Sequence, residues 1–229
     1  MEVAFLITTC NRQQSCQRLV DALQGYGDIY VLNDGCDYDI NGAIQSKLST
    51  RLGKKGYWRT INYLYRGRGR HKYYFQLPDD FLPVDDMVEK AIAVWKDIKD
   101  SKKICLNLYA DRIGVPCWTG FMPVEFSNYR KTQWVDMCFL CEEYFFKILG
   151  DIPEIRLGWG NNSKKSSGVG AHISKLLNKK KFSLFQVKES LVIPQDEHFL
   201  ISQMLESNDT NSWGGFSART QRIFDTRNK

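Results

Sequence analysis

Two adjacent carboxylates, Asp79 and Asp80, close the run Tyr73-Tyr74-Phe75-Gln76-Leu77-Pro78 and are followed by Phe81-Leu82-Pro83. Neighbouring carboxylates repel unless a cation lies between them. The pair is therefore a natural seat for a hard, oxygen-liganded divalent ion. The plainer alternative is a polar turn leading into the next helix, where Asp is common. The aromatic and apolar run before the pair reads as a short buried strand. Pro78 has no amide proton to give a sheet ladder, so the strand ends there. That puts the carboxylates at a strand's carboxyl end, the edge at which open α/β sheets bind ligands.

Other polar clusters fall at comparable points. Val3–Thr8 is a continuous apolar run, as in a central parallel strand, and Thr8-Thr9-Cys10-Asn11-Arg12 turns directly after it. Cys16, Leu19, Val20 and Leu23 then recur at helical spacing, and Gly25 and Gly27 end the helix. Asp28–Leu32 is a second strand, closed by Asn33-Asp34-Gly35. A right-handed crossover brings both loops to one sheet edge. Each loop also has an ordinary reading: a helix cap for Asn11-Arg12, and a turn for Asn-Asp-Gly.

The remaining elements must carry these loops. Ile44, Leu48 and Leu52 share a face if residues from Ile40 to Leu52 are helical, with Gly53-Lys54-Lys55-Gly56 as a break and a further helix over Tyr57–Tyr65. Arg66-Gly67-Arg68-Gly69-Arg70-His71-Lys72 is a basic, glycine-rich loop. Asp85 or Asp86 is expected to cap an amphipathic helix bearing Val88, Ala91, Ile92, Trp95 and Ile98. Strands are expected at Ile104–Tyr109, Gln133–Leu140, Phe182–Val187 and Leu191–Ile193, and helices at Cys141–Leu149 and around Ile173, Leu176 and Leu177. Gly114–Pro123, with Trp118, reads as a structured loop, and Leu157–Gly170 as a mobile lid. With no repeat and no linker, residues 1–204 read as one domain, and 205–229 as a polar tail, a lid or an acceptor contact.

The totals fit an ordinary globular chain: 229 residues, 43% hydrophobic and 25% charged. No apolar run has the length of a membrane span. Met1–Ile7 lacks the basic start and cleavage site of a signal peptide. Seven irregularly spaced cysteines argue for reduced thiols and a cytoplasmic location. Cys138 and Cys141 have Cys-x-x-Cys spacing, but no second pair comes after them, so no zinc site is expected. The net charge of +6 favours an anionic partner without choosing among nucleotide, nucleic acid and membrane surface.

Taken in order, the first strand with Thr-x-x-Asn-Arg, the second with Asn-Asp-Gly and the third with paired aspartates resemble the GT-A glycosyltransferases, particularly the family-2-like group. Arg59 and Asn62 resemble the family's Arg-x-x-Asn stretch, and Phe81-Leu82-Pro83 with its helix resembles the segment after the family's metal motif. Trp134–Gly150 and Gly168–Ser190 resemble the later segments, so the likeness covers about residues 2–195. It implies an α/β fold with a mixed, mostly parallel central sheet flanked by helices in a single domain. It also implies a nucleoside diphosphate sugar donor, UDP-linked by expectation. Thr8, Thr9, Asn11, Arg12, Asp34, Arg59, Asn62 and Asp79 would bind that donor. Asp80 would hold Mn²⁺ or Mg²⁺, and His198 would complete the metal shell.

One part of the pattern is missing. Where inverting members carry an acidic pair, this chain has Lys165-Ser166-Ser167-Gly168-Val169-Gly170-Ala171-His172. Either the base lies elsewhere, with Asp136 as the substitute candidate, or the enzyme retains configuration and needs none in that place. His172 is a second histidine that could meet diphosphate or acceptor. Glu142 and Glu143 are read as favourable charges at a helix N-terminus. Basic clusters fall at Arg66, Arg68, Arg70 and Lys72, among Tyr57, Trp58, Tyr63, Tyr65 and Tyr73, and at Lys179–Lys181, with Trp118 a further aromatic between them. Basic residues interleaved with aromatics suit a nucleic acid with a base turned out of the stack. The resemblance extends to bacteriophage enzymes that decorate hydroxymethylated DNA bases, so DNA is the expected acceptor, contacted by Arg66, Arg68, Arg70 and Trp118. A surface polysaccharide or glycolipid is the alternative acceptor. A non-catalytic nucleic-acid-binding module is an alternative of another class. A nucleotidyltransferase fits less well, since Thr8–Arg12 has no glycine.

Overall fold

The apolar run at the amino terminus becomes β1 (Val3–Thr9), with side chains buried on both faces. A computed structural model describes residues 2–110, 123–135, 137–155 and 168–195. The chain continues as α1 (Gln13–Leu23), β2 (Asp28–Asn33), β3 (Ile44–Lys47), α2 (Gly53–Arg66), β4 (Tyr73–Pro78) and β5 (Phe81–Pro83). Then come α3 (Met87–Asp97), β6 (Lys103–Asn107), β7 (Val124–Glu125), β8 (Tyr129–Thr132), β9 (Phe139–Glu142) and α4 (Glu143–Leu149). The described chain ends with α5 (Val169–Lys179), β10 (Ser183–Val187) and β11 (Val192–Pro194).

Nine strands form one sheet in the order β3-β2-β1-β4-β9-β6-β10-β8-β7, and β11 pairs with β5 in a second, two-stranded sheet. Within the large sheet, β9 and β8 run against the other strands. Alternation along β1 divides the core. Val3, Phe5 and Ile7 join α1 and α3 on one face, while Ala4 and Leu6 join α2, α4 and α5 on the other. Burial on both faces explains why β1 reads as a continuous apolar run.

Several boundaries differ from expectation. Ile40–Leu52 is not helical. Its middle is β3, pairing in parallel with β2 from Tyr30↔Ile44 to Asn33↔Lys47. Ile44 is exposed on this edge strand, so the helical spacing of Ile44, Leu48 and Leu52 reflects no common buried face. Gly53 and Gly56, expected to break the chain, lie inside the first turn of α2. The segment Gln133–Leu140 is mostly a connection between β8 and β9. Val135 and Cys138 are buried in it because its backbone is taken up elsewhere: Asn107 Nδ2 donates to Trp134 O at 2.7 Å, and Leu108 N to Cys138 O at 3.0 Å. Cys141 belongs to β9, opposite Tyr74 and Cys105, so α4 starts two residues later than expected. Asp86 does precede α3, but with a left-handed φ of 56° and no side-chain cap. Of the expected lid, 157–167 lies outside the described residues, and Val169 already begins α5.

Candidate active site

Register brings the polar loops together. Thr9 of β1 lies opposite Asn33 of β2, and Thr8 lies between Leu32 and Pro78 of β4. These strands are parallel, so the segments after Thr9, Asn33 and Pro78 leave the sheet at one carboxyl edge. Asp34 N donates to Thr9 O at 2.9 Å, which joins the first two loops directly.

The Asn33–Tyr38 loop is built from within. Asn33 Oδ1 accepts from Cys36 N at 2.9 Å, and its Nδ2 donates to Tyr38 O at 2.7 Å. The loop then grips the first one. The Tyr38 hydroxyl accepts from Arg12 N at 3.3 Å and lies 2.9 Å from Thr9 Oγ1. Asn11 takes a left-handed φ of 56° in that turn, and with its amide turned to satisfy its neighbours the oxygen accepts from Arg51 Nη2 at 2.7 Å.

Asp34 is buried and already engaged. Its carboxylate accepts from Leu52 N at 2.9 Å and Gly53 N at 2.8 Å, which ties the start of α2 to the strand edge. Burial raises its pKa, while these two donors and Arg51 pull the other way. Gly35, at φ 72°, lies so close to the Arg51 backbone that a β-carbon would collide with it.

The centre of the site is a buried triad of charges. Arg12 Nη2 pairs with Asp79 Oδ1, and Arg12 Nη1 is 3.4 Å from Asp80 Oδ2. None of the three side chains is more than 3% exposed. Burial pushes Asp79 up to about 7; Arg12 opposes the rise and Asp80 adds to it. Burial also disfavours the Arg12 charge, but the two carboxylates more than offset this and raise its pKa. Asp79 Oδ2 is buried without a hydrogen-bond partner.

Two residues that sequence reasoning missed brace this centre. Gln195, directly after β11, donates its backbone N–H to Asp80 O at 2.8 Å. Its Nε2 donates to Asp79 O at 3.1 Å and to Ser15 O at 2.9 Å, locking the carboxylate turn onto α1. No local pattern announces this, because the contact spans more than a hundred residues. Tyr57, in sequence only one aromatic among several, comes in from α2 and hydrogen-bonds Thr8; burial pushes its hydroxyl up to about 12. Helical spacing marks α2, but not which of its aromatics faces the edge.

Thus Thr8, Thr9, Asn11, Arg12, Asp34, Asp79 and Asp80 share one edge, and the other expected site residues that are described do not. Asn62 is buried with its amide spent on Ile152: Nδ2 donates to Ile152 O at 2.8 Å, and Oδ1 accepts from Ile152 N at 2.9 Å. Arg59 is exposed on α2, its guanidinium 6.0 Å from the Trp58 ring centroid. The arginine loop precedes β4, whose first residue pairs with Val3, so it stands at the sheet's amino edge. There Arg66 pairs with Asp151 at 2.6 Å. Arg68 bonds Glu143 at 2.6 Å and Tyr65 O, and lies 4.0 Å from the Phe146 ring centroid. Arg70 is exposed. The Lys179–Lys181 run ends α5 just before β10, which puts it at the amino edge too. His172 lies in the first turn of α5, its pKa lowered by burial and by Lys175. Asp136, Trp118 and His198 lie outside the described residues.

A mixed, largely parallel sheet with helices on both faces, a small second sheet and a carboxylate turn between the two defines the fold as that of the GT-A glycosyltransferases. Solved structures share it. GalNAc-T7, crystallised with UDP, GalNAc and Mn²⁺, superposes with a TM-score of 0.64 at 14% identity, over 85% of this chain and 43% of that one. TarS of S. aureus, as its 1-349 fragment, gives 0.55 at 12% identity, over 97% of this chain and 69% of that one. A longer TarS structure gives 0.58 at 12% identity, over 98% of this chain and 42% of that one. This chain therefore spans less than half of the GalNAc-T7 chain. No family model matches the sequence, and no curated protein does.

Proposed function

We propose that this chain is a metal-dependent glycosyltransferase that moves a sugar from a nucleoside diphosphate sugar, most simply a UDP-sugar, to an acceptor hydroxyl. The observation that carries the reading is the meeting of Thr8–Arg12, Asn33–Asp34 and Asp79–Asp80 at one carboxyl edge. The GT-A fold supports it, as does GalNAc-T7 having been crystallised with UDP and Mn²⁺.

The chain's residues fit a divalent ion. Carboxylate oxygens are the hard donors that Mg²⁺ and Mn²⁺ prefer. Asp79 Oδ2 is buried without a hydrogen-bond partner, so one hard donor atom of the pair is unspent. No cluster of three metal-ligating side chains occurs among the described residues, so Asp79 and Asp80 would hold the ion with donor oxygens and with His198 beyond Gln195. When bound, the ion supplies Lewis-acid stabilisation of the departing nucleoside diphosphate. Thr8, Thr9 and Asn11 offer hydrogen bonds to the nucleoside. Asp34 fixes the start of α2 beside the strand edge and can accept a further bond from base or ribose. Asp136 would serve as base.

For the acceptor, charge and the resemblance point to a hydroxymethylated DNA base. Yet the Arg66–Lys72 and Lys179–Lys181 clusters lie at the amino edge. The six residues of β4 separate that edge from Asp79 by about 20 Å at ~3.3 Å per residue. A polysaccharide or glycolipid hydroxyl needs no phosphate-tracking surface and is the acceptor this geometry favours. The test is a screen of uridine, guanosine, thymidine and cytidine diphosphate sugars with Mn²⁺, scored by hydrolysis and thermal stabilisation, then repeated with each acceptor class. Metal-dependent turnover of a UDP-sugar supports the proposal. Nucleic-acid affinity without stabilisation by any nucleotide sugar would favour the non-catalytic binding module instead.

A further inference from the structure

Arg12 stands where the expected ion would act. Its guanidinium spans both carboxylates, and all three groups are shut away from water. A buried carboxylate pair needs a positive partner, because desolvation penalises every unpaired charge. Arg12 is also badly sited by its own helix. It holds the N-cap position of α1, with its carbonyl accepting from Cys16 N at 2.9 Å, and a helix N-terminus favours anions over cations. The carboxylates therefore hold this guanidinium against the dipole. An anion arriving at the α1 start would be favoured by both the dipole and Arg12.

We propose that Arg12 is the resident counter-cation of the carboxylate pair: it competes with the divalent ion for Asp79 and Asp80 and passes to the donor's diphosphate when the ion enters. The proposal rests on the donor-site reading above. The Arg12 backbone is fixed by the start of α1, so only the side chain moves. The ion alone binds weakly because it must displace a buried guanidinium. With the nucleotide present, that guanidinium has another anionic partner. Nucleotide and ion thus raise each other's affinity by the same factor, as linkage requires.

Titration calorimetry with MnCl₂ tests this on the full chain, with and without saturating UDP. Arg12→Met should bind Mn²⁺ without UDP at least about tenfold more tightly than the parent, the scale of one lost charge-assisted bond. UDP should then raise its Mn²⁺ affinity by a smaller factor than in the parent. Arg12→Lys keeps the charge but cannot span both carboxylates, so it should fall between the two. If the Met variant does not fold, the Lys variant carries the test, and Mn²⁺ should raise its melting temperature more than the parent's. Equal Mn²⁺ affinities and equal UDP coupling in all forms would overturn the role of Arg12 and leave the metal site standing. Failure of every form to bind Mn²⁺, even with UDP, would overturn both.

Discussion

The two edges of the central sheet use the same residue types to opposite ends. At the carboxyl edge, Arg12, Asp79 and Asp80 are buried together, and Asp79 Oδ2 and Gln195 Oε1 have no hydrogen-bond partner. At the amino edge, Arg66 pairs with Asp151 in the open, and Arg68 joins Glu143 over the Phe146 ring. An exposed pair such as Arg66–Asp151 contributes little, while Arg68 is 18% exposed and gains from its packing on Phe146. Buried charges of the carboxyl-edge kind are costly and persist where a site needs them. The positions of charges, more than their number, separate the proposed donor site from the amino edge.

The contrast can be broken at four points, in falling order of effect. Asp80→Ala should reduce sugar transfer by about 100-fold or more, the loss of several kcal/mol of leaving-group stabilisation, while the variant stays folded. Steady-state rates over a range of Mn²⁺ concentrations check this; near-parent turnover at low Mn²⁺ would remove Asp80 from the metal site. Asn62→Ala should cost about 1–3 kcal/mol of stability, since it leaves the Ile152 backbone without partners, and should spare the donor KM. Denaturant unfolding with donor kinetics decides the matter. A raised KM at unchanged stability would return Asn62 to the donor site.

Asp34→Ala should lower stability by about 1 kcal/mol through the lost bonds to Leu52 N and Gly53 N. If Asp34 binds the nucleoside, as proposed, the substitution should also raise the donor KM more than it lowers kcat, because uniform binding is lost rather than transition-state stabilisation. A parent-like KM in the Asp34 variant would confine the residue to capping. The smallest effect belongs to the amino edge. Arg66→Ala and Arg70→Ala should leave melting temperature and donor hydrolysis near parent values. Loss of donor hydrolysis in either would show that the amino edge takes part in donor binding.

How much the sequence discloses depends on how local each signal is. β1 and β4 are legible because both faces are buried, which leaves a continuous apolar run ended by polar residues or proline. β3 is not legible, since an edge strand with Ile44 exposed leaves no burial pattern to read. The strand-end loops are visible as Thr-x-x-Asn-Arg, Asn-Asp-Gly and Asp-Asp, because parallel pairing forces them to one edge. Partnerships across long separations leave no trace: Arg12 with the carboxylates, Gln195 behind them, Asn62 on Ile152. The arginine loop shows the reverse error. Its composition is plain, but only strand direction reveals the edge on which it stands.

The most direct measurement is the rate of UDP-sugar hydrolysis by the full chain as Mn²⁺ is raised, run beside Asp80→Asn at matched melting temperature. A saturable, chelator-sensitive release of UDP by the parent that the variant lacks is the predicted result. Equal rates in parent and variant, or stabilisation by no nucleotide sugar with any metal, would contradict the assignment.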